Sequence, residues 1–304
     1  MNGLKHEHYT PGTNDAAVDR STLRKAPAGA LSSRPKGIDG VLFDASRLTD
    51  DIKSFSSEYR LAKPYPHLVV DNLFSEDLLD RIVLEMPPAG HPNWVRHDDE
   101  HIRQFNLRSA LVLGDAGSQL VAFLHSAKFL YFLSEVTGIW ELLPDPYLQG
   151  GGYHLIPRGG KFDVHVDRNV AYSIGLVRRL SLLIYLNKDW KHEYGGQLEL
   201  WGKDGNQREV SIEPIFNRTT IFEITDENYH GVPAVVRCPK GRSRNCFVVY
   251  YHTAEVRGAD ELKAHTSIYG PRSYGQKEPR LRQFLKDLVP PLLLRGVRKL
   301  HSAR

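Results

Sequence analysis

This sequence has little cysteine, almost no charge imbalance and no long apolar run. Only Cys238 and Cys246 occur in its 304 residues. Two cysteines make no disulfide framework, so a reducing, cytoplasmic setting is expected. No uninterrupted apolar stretch reaches the ~18 residues of a spanning helix, so no transmembrane segment is expected. The first residues hold no apolar core of the secretory kind. Basic side chains number 40 and acidic ones 36, a net charge of +4. That excess is small and mostly terminal. With no aromatic-plus-basic stacking motif, it argues against nucleic acid as a partner.

The apolar and aromatic contents, 41% and 10%, are those of a globule with a sizeable core. Residues 1–38 are rich in Pro, Gly, Ser, Ala and charge and lack periodicity, so a disordered tail is predicted. The scattered His6 and His8 belong to that polar tail. Residues 39–146 read as a helical lead-in that buttresses a sheet. Helices are expected over 48–61, 75–86 and 118–137, the last being the longest, with a short strand at 65–71. The polar stretch from Ala89 to Gln104 reads as a mobile flap or surface loop.

From Tyr147 to Val256 the pattern changes to short strands. Eight runs are expected: 151–156, 162–168, 178–187, 196–201, 207–213, 218–224, 229–236 and 244–252. Gly, Pro, Asn and Asp punctuate them. Eight strands at this spacing fit a jelly roll, giving a mainly β fold with a helical buttress. Residues 257–304 read as a connector and a basic amphipathic segment broken by Pro290-Pro291. Two roles fit that segment: docking on its own domain or a partner, or peripheral contact with an anionic membrane surface.

The chemistry centres on His165-Val166-Asp167. On a strand, residues i and i+2 share a face, so one imidazole and one carboxylate converge. His230 supplies a second imidazole. Two His and a carboxylate on one side of a cation are the facial triad of non-haem iron sites. Each imidazole alone also reads as a buried, hydrogen-bonded core side chain. On the last strand, Arg244, Cys246, Val248 and Tyr250 share a face by parity. An Arg heading an apolar inward face is costly unless it meets an anion, and its planar fork suits a carboxylate. Tyr185 is a second inward polar candidate for the same anion, or else a core aromatic. Arg158, Lys161, Arg168 and Asn169 flank the cluster and read as a solvated rim.

Here several segments become recognisable in order: HVD at 165–167, IYLNKDW at 184–190, GGQLELW at 195–201, EPIFNRTTIF at 213–222, YHGVP at 229–233 and GRSRNCFVVYY at 241–251. Together they resemble the prolyl 4-hydroxylase-like branch of the Fe(II)/2-oxoglutarate dioxygenases, and PYPHLVVDNLFSEDLLDRI at 64–82 resembles its lead-in. The resemblance implies a double-stranded β-helix core at 147–256. It implies Fe(II) held by His165, Asp167 and His230, with 2-oxoglutarate and O2 as cosubstrates, and ascorbate as a further reductant of the family. It implies oxidative decarboxylation to succinate and CO2, coupled to hydroxylation of a prolyl or other amino-acid residue or of a small metabolite. A carboxylate at Asp167, where halogenating relatives carry a small residue, favours hydroxylation.

Two positions depart from the family pattern. The basic partner of the cosubstrate's distal carboxylate is expected at Arg244, with Arg242 and with Lys240, where collagen-type relatives carry Lys, as alternatives. Cys246 stands where many relatives carry Ser. The cosubstrate Tyr common before the metal strand has no aligned equivalent, Tyr153 and His154 being near but out of place. A non-catalytic jelly-roll binding module and a different metal-dependent cupin enzyme are the competing readings.

Overall fold

The computed structural model describes residues 50–107, 112–171, 174–254 and 264–271. The expected N-terminal tail and basic C-terminal segment lie outside the described residues. Among those described, no helix is long and apolar enough to cross a membrane.

Two antiparallel sheets form the core. The larger has nine strands, in the order β1 (His67–Asp71), β11 (Arg218–Glu223), β8 (Leu176–Tyr185), β13 (Ser243–Thr253), β5 (Gly152–Pro157), β3 (Arg103–Leu107) and β2 (Val95–Asp98). The short β4 (Leu143–Pro144) joins β13, and β7 (Val170–Ala171) joins β8. The smaller has five, in the order β10 (Arg208–Ile212), β9 (Leu198–Trp201), β12 (His230–Val232), β6 (Phe162–Val166) and β14 (Ile268–Tyr269). Face-to-face packing of two such sheets is the jelly-roll solution to burying two apolar faces.

Period-2 alternation assigns the faces of the large sheet. On β8, Leu180, Leu182 and Ile184 point outward, into a cluster with Phe247, Val249 and Tyr251 of β13. Leu183 and Tyr185 point inward, with Cys246, Val248 and Tyr250. The outward face carries the helices: α1 (Ile52–Leu61), α2 (Glu76–Glu85), α3 (Asp115–Leu124) and α4 (Ala127–Thr137). Phe129, Phe132 and Leu133 of α4 are buried there. Both faces being covered explains why β8 and β13 are nearly continuous apolar runs.

All eight expected strands of the core are present. The lead-in differs in two ways. The helix expected over 118–137 is two helices, broken at His125-Ser126. Ser126 acts as N-cap of α4, its Oγ accepting the Phe129 N–H at 3.3 Å. Capping competes locally with helix continuation, and apolar periodicity does not register it. The stretch expected as a flap contains the β2–β3 hairpin, with Phe105 opposite Leu155 and Leu107 opposite Tyr153 of β5. Its exposed, polar β2 gives no local strand signal. Pairing of β3 with β5 supplies the order.

Candidate metal and carboxylate site

His165 and His230 sit directly opposite each other across β6 and β12. Their ring centroids are 4.6 Å apart. Gly231 permits this pairing, since a Cβ there would meet the Asp163 carbonyl and Val164 Cα at 2.9 Å. The Nδ1 atoms are tied to backbone carbonyls two residues back, His165 to Asp163 O at 2.8 Å and His230 to Asn228 O at 3.1 Å. A carbonyl accepts only, so each Nδ1 carries the proton and each Nε2 presents a lone pair. Asp167 follows the end of β6. Its Oδ1 lies 3.6 Å from His165 Nε2 and its Oδ2 3.7 Å from His230 Nε2. All three donor atoms lie within 4.8 Å of one another, the one such cluster among the described residues. Ordinary hydrogen bonds would draw them to roughly 2.7–3.2 Å. His165 Nε2 is buried without a hydrogen-bond partner.

The electrostatics suit a cation. Burial, helped by the neighbouring His165, lowers His230 to about 4, so its ring is neutral near pH 7. Burial alone would raise Asp167, but the His165 contact, with the Arg178 charge, outweighs it and holds the carboxyl far below its usual range. A neutral His230 imidazole and an ionised Asp167 carboxylate are protonation states that metal ligation requires.

A narrow cavity of about 50 Å3 leads inward from this cluster to Arg244, between walls that include Leu183, Leu198, Val232 and Val248. Arg244 is 2% exposed. Its Nε donates to the Gly196 carbonyl at 2.7 Å and its Nη1 approaches Cys246 Sγ at 3.5 Å. Its Nη2 is buried with no partner. Gly196 has φ +79°, and a Cβ there would lie 3.1 Å from Arg244 Cδ, so glycine both makes the turn and leaves room for the side chain. Asn187 fixes the strand beside it, accepting the Asn245 N–H at 2.7 Å and donating to the Asn245 carbonyl at 3.0 Å. No carboxylate among the described residues pairs with this buried cation. Such a group is costly unless an anion meets it.

The remaining sequence candidates fall in several places. Tyr185 is fully buried, with its ring 5.1 Å from the Arg244 guanidinium carbon, and burial pushes its hydroxyl up to about 12. Arg242 packs on Trp190 and Tyr194 and donates to the Lys188 carbonyl, while Lys240 is exposed in its turn. Arg158 donates to the Arg237 and Cys238 carbonyls. Lys161 bonds Asp163, and Asn169 bonds Asp226. Arg168 lines an outer chamber. Tyr153 packs against Phe247 on the outward face.

Arg178 and Gln104 were not signalled by the sequence, and His154, expected to be near but out of place, is corrected to a residue of the site. His154 lies in the cavity wall, donating from Nε2 to the Gly150 carbonyl at 2.9 Å, with Gln104 Nε2 3.2 Å from its Nδ1. Burial lowers His154 to about 4. Arg178 and Gln104 join it at the boundary with the outer chamber. Parity along β5 places His154 inward once β5 is paired to β13 with Cys246 opposite, a register visible only in the fold.

A jelly roll that joins a His-Asp-His cluster to a buried, anionless arginine has the layout of a metal- and carboxylate-dependent oxygenase. Residues 151–252 match the family model described as the 2OG-Fe(II) oxygenase superfamily. Among solved structures, a prolyl 4-hydroxylase from Phytophthora capsici is similar at 21% identity and a TM-score of 0.50, over 78% of this chain and 72% of that one. A Pseudomonas putida prolyl-4-hydroxylase aligns at 17% identity and a TM-score of 0.49, over 67% of this chain and 100% of that one. The Phytophthora likeness concerns the fold.

Proposed function

We propose that this oxygenase hydroxylates an unactivated C–H bond of a small-molecule or peptidyl substrate and releases succinate and CO2. His165, Asp167 and His230 hold Fe(II), and Arg244 holds the distal carboxylate of 2-oxoglutarate. Bound iron and 2-oxoglutarate supply the oxidising power that protein side chains lack. The protein's part is to position and to exclude water. The Nδ1–carbonyl bonds keep both imidazoles in the ligating tautomer. The apolar walls between the cluster and Arg244 strengthen every charge interaction inside. Tyr185 backs the guanidinium with its ring face.

One observation carries this reading: a fully buried guanidinium with an unpartnered Nη2 lies in the same cavity as three clustered metal donors. The fork matches a carboxylate. The first test is anaerobic addition of Fe(II) and 2-oxoglutarate to the intact chain, watching for a weak visible charge-transfer band. The band is expected with both present and with neither alone. A folded chain that never gives it overturns the assignment. Succinate release, screened against peptides, free amino acids and cell extract, then identifies the substrate.

A further inference from the structure

Beyond the metal cluster, on the side away from Arg244, a second chamber of about 270 Å3 opens. Asp167, Gln104, His154 and Tyr250 line both spaces, so the chamber is the approach to the reacting centre. Its volume lies at the small end of ligand pockets, roughly 300–1,000 Å3. Arg178 forms part of its wall and is 5% exposed. The guanidinium lies 3.9 Å from the centre of the Tyr250 ring and donates from Nη2 to the Gln149 carbonyl, while its Nε is buried without a partner. No described carboxylate lies within ion-pair distance of it. The other acid on the wall, Asp99, is exposed, and its Oδ1 accepts the His101 and Ile102 N–H groups.

The charges of the filled site single this arginine out. The two positive charges of iron and the one of Arg244 are balanced by Asp167 and the two carboxylates of 2-oxoglutarate. His154 is neutral near pH 7. Once Asp167 is committed to a metal, the Arg178 charge has no described carboxylate partner on a side chain that is nearly buried, where an unmatched charge is costly. We infer that Arg178 receives a carboxylate of the substrate, so that this oxygenase acts on a small acid, a free amino acid in the first place, and not on the interior of a peptide chain. The inference rests on the iron and 2-oxoglutarate reading above. A carboxylate fixed on Arg178 orients the substrate's nearby C–H toward the cluster through one charge-assisted contact.

The test uses the full chain loaded with Zn(II), diamagnetic and redox-inert, and 2-oxoglutarate. The side-chain Nε–H resonances of Arg178 and Arg244 are assigned through bonds from their backbone amides. Sodium acetate and its neutral counterpart acetamide are then titrated in. Arg178 Nε–H is expected to shift saturably with acetate and to respond at least tenfold more weakly to acetamide. If Arg244 responds to 2-oxoglutarate while Arg178 ignores acetate, or answers both probes alike, the inference falls and the parent reading stands. If Arg244 ignores 2-oxoglutarate, both fall. A second arm measures succinate release with free L-amino acids, their primary amides, and tripeptides ending in a free carboxylate. Turnover is expected to be at least tenfold faster for free acids than for their amides, and lost in Arg178→Lys, whose charge-transfer band with Fe(II) and 2-oxoglutarate persists. Amides turned over as fast as acids overturn the inference. Preference for the tripeptides moves the carboxylate to a chain terminus and overturns the free-amino-acid assignment.

Discussion

The two faces of the nine-stranded sheet are built from the same two strands and do opposite things. Outward, Leu180, Leu182, Ile184, Phe247, Val249 and Tyr251 meet the helices in an apolar cluster. Inward, on the alternate residues of the same strands, stand Arg244 with an unpaired Nη2 and the wall of a cavity that reaches His165, whose Nε2 is also unpaired. The outward face is predominantly apolar and contributes stability. The inward face carries unmet polar groups, which weaken the empty protein and which the proposed metal and carboxylate would satisfy. A period of two lets one strand serve both purposes, because a substitution on one face leaves the other in place.

That contrast breaks most visibly at His165. His165→Ala is expected to abolish the charge-transfer band and reduce succinate formation to background, while thermal unfolding moves little, since an unpartnered buried nitrogen is removed. A Tm drop as large as that of a core variant would show the two faces to be energetically alike. Phe129→Ala, beneath the outward face, is expected to cost ~3–5 kcal/mol and lower the Tm markedly. The cofactor affinity of its folded fraction should be unchanged, as read by denaturant unfolding and by band titration at low temperature.

Arg244→Ala is expected to raise the 2-oxoglutarate requirement strongly, by the ~2–5 kcal/mol lost when one partner of a buried charge pair is removed. The ligand-free chain should lose little stability. Equal 2-oxoglutarate binding by wild type and variant would show that the inward charge serves packing.

The smallest effect is a pH slope. His154 and His252 are both held at about 4 by burial, against 6.5 in an unfolded chain. Above pH 6.5 neither state is protonated and full stability is present. As pH falls toward 4, the unfolded chain binds protons that the folded chain refuses. Stability is therefore lost through that window, on the order of 3 kcal/mol for each ring. Urea midpoints between pH 7.5 and 4.5 measure the slope, and His154→Gln should flatten part of it. A slope untouched by that change would put the pH sensitivity elsewhere.

Strand existence was legible in the sequence because alternation and turn residues are local signals. All eight core strands appear, and the parity that grouped Arg244, Cys246, Val248 and Tyr250 on one face holds in the cavity wall. Signals that compete within a few residues were harder to read. Ser126 divides one periodic helical stretch into two by capping. The β2–β3 hairpin has no local strand signal and exists through its pairing with β5. His154 and Arg178 looked unremarkable because nothing near them in sequence says which wall they join.

By itself the sequence determined the repertoire: the strands, their inward and outward residues, the His-x-Asp pair and one arginine out of keeping with its apolar neighbours. These follow from covalent spacing and the two-residue period of an extended chain. The tertiary structure decided which groups meet. Register across β6 and β12 set His230 opposite His165. Packing of one sheet on the other then placed Arg244 at one end of a cavity and Arg178 in the chamber at the other. Pairing between strands far apart in sequence is fixed by burying whole faces at once, and burial of that kind cannot be read from any single segment.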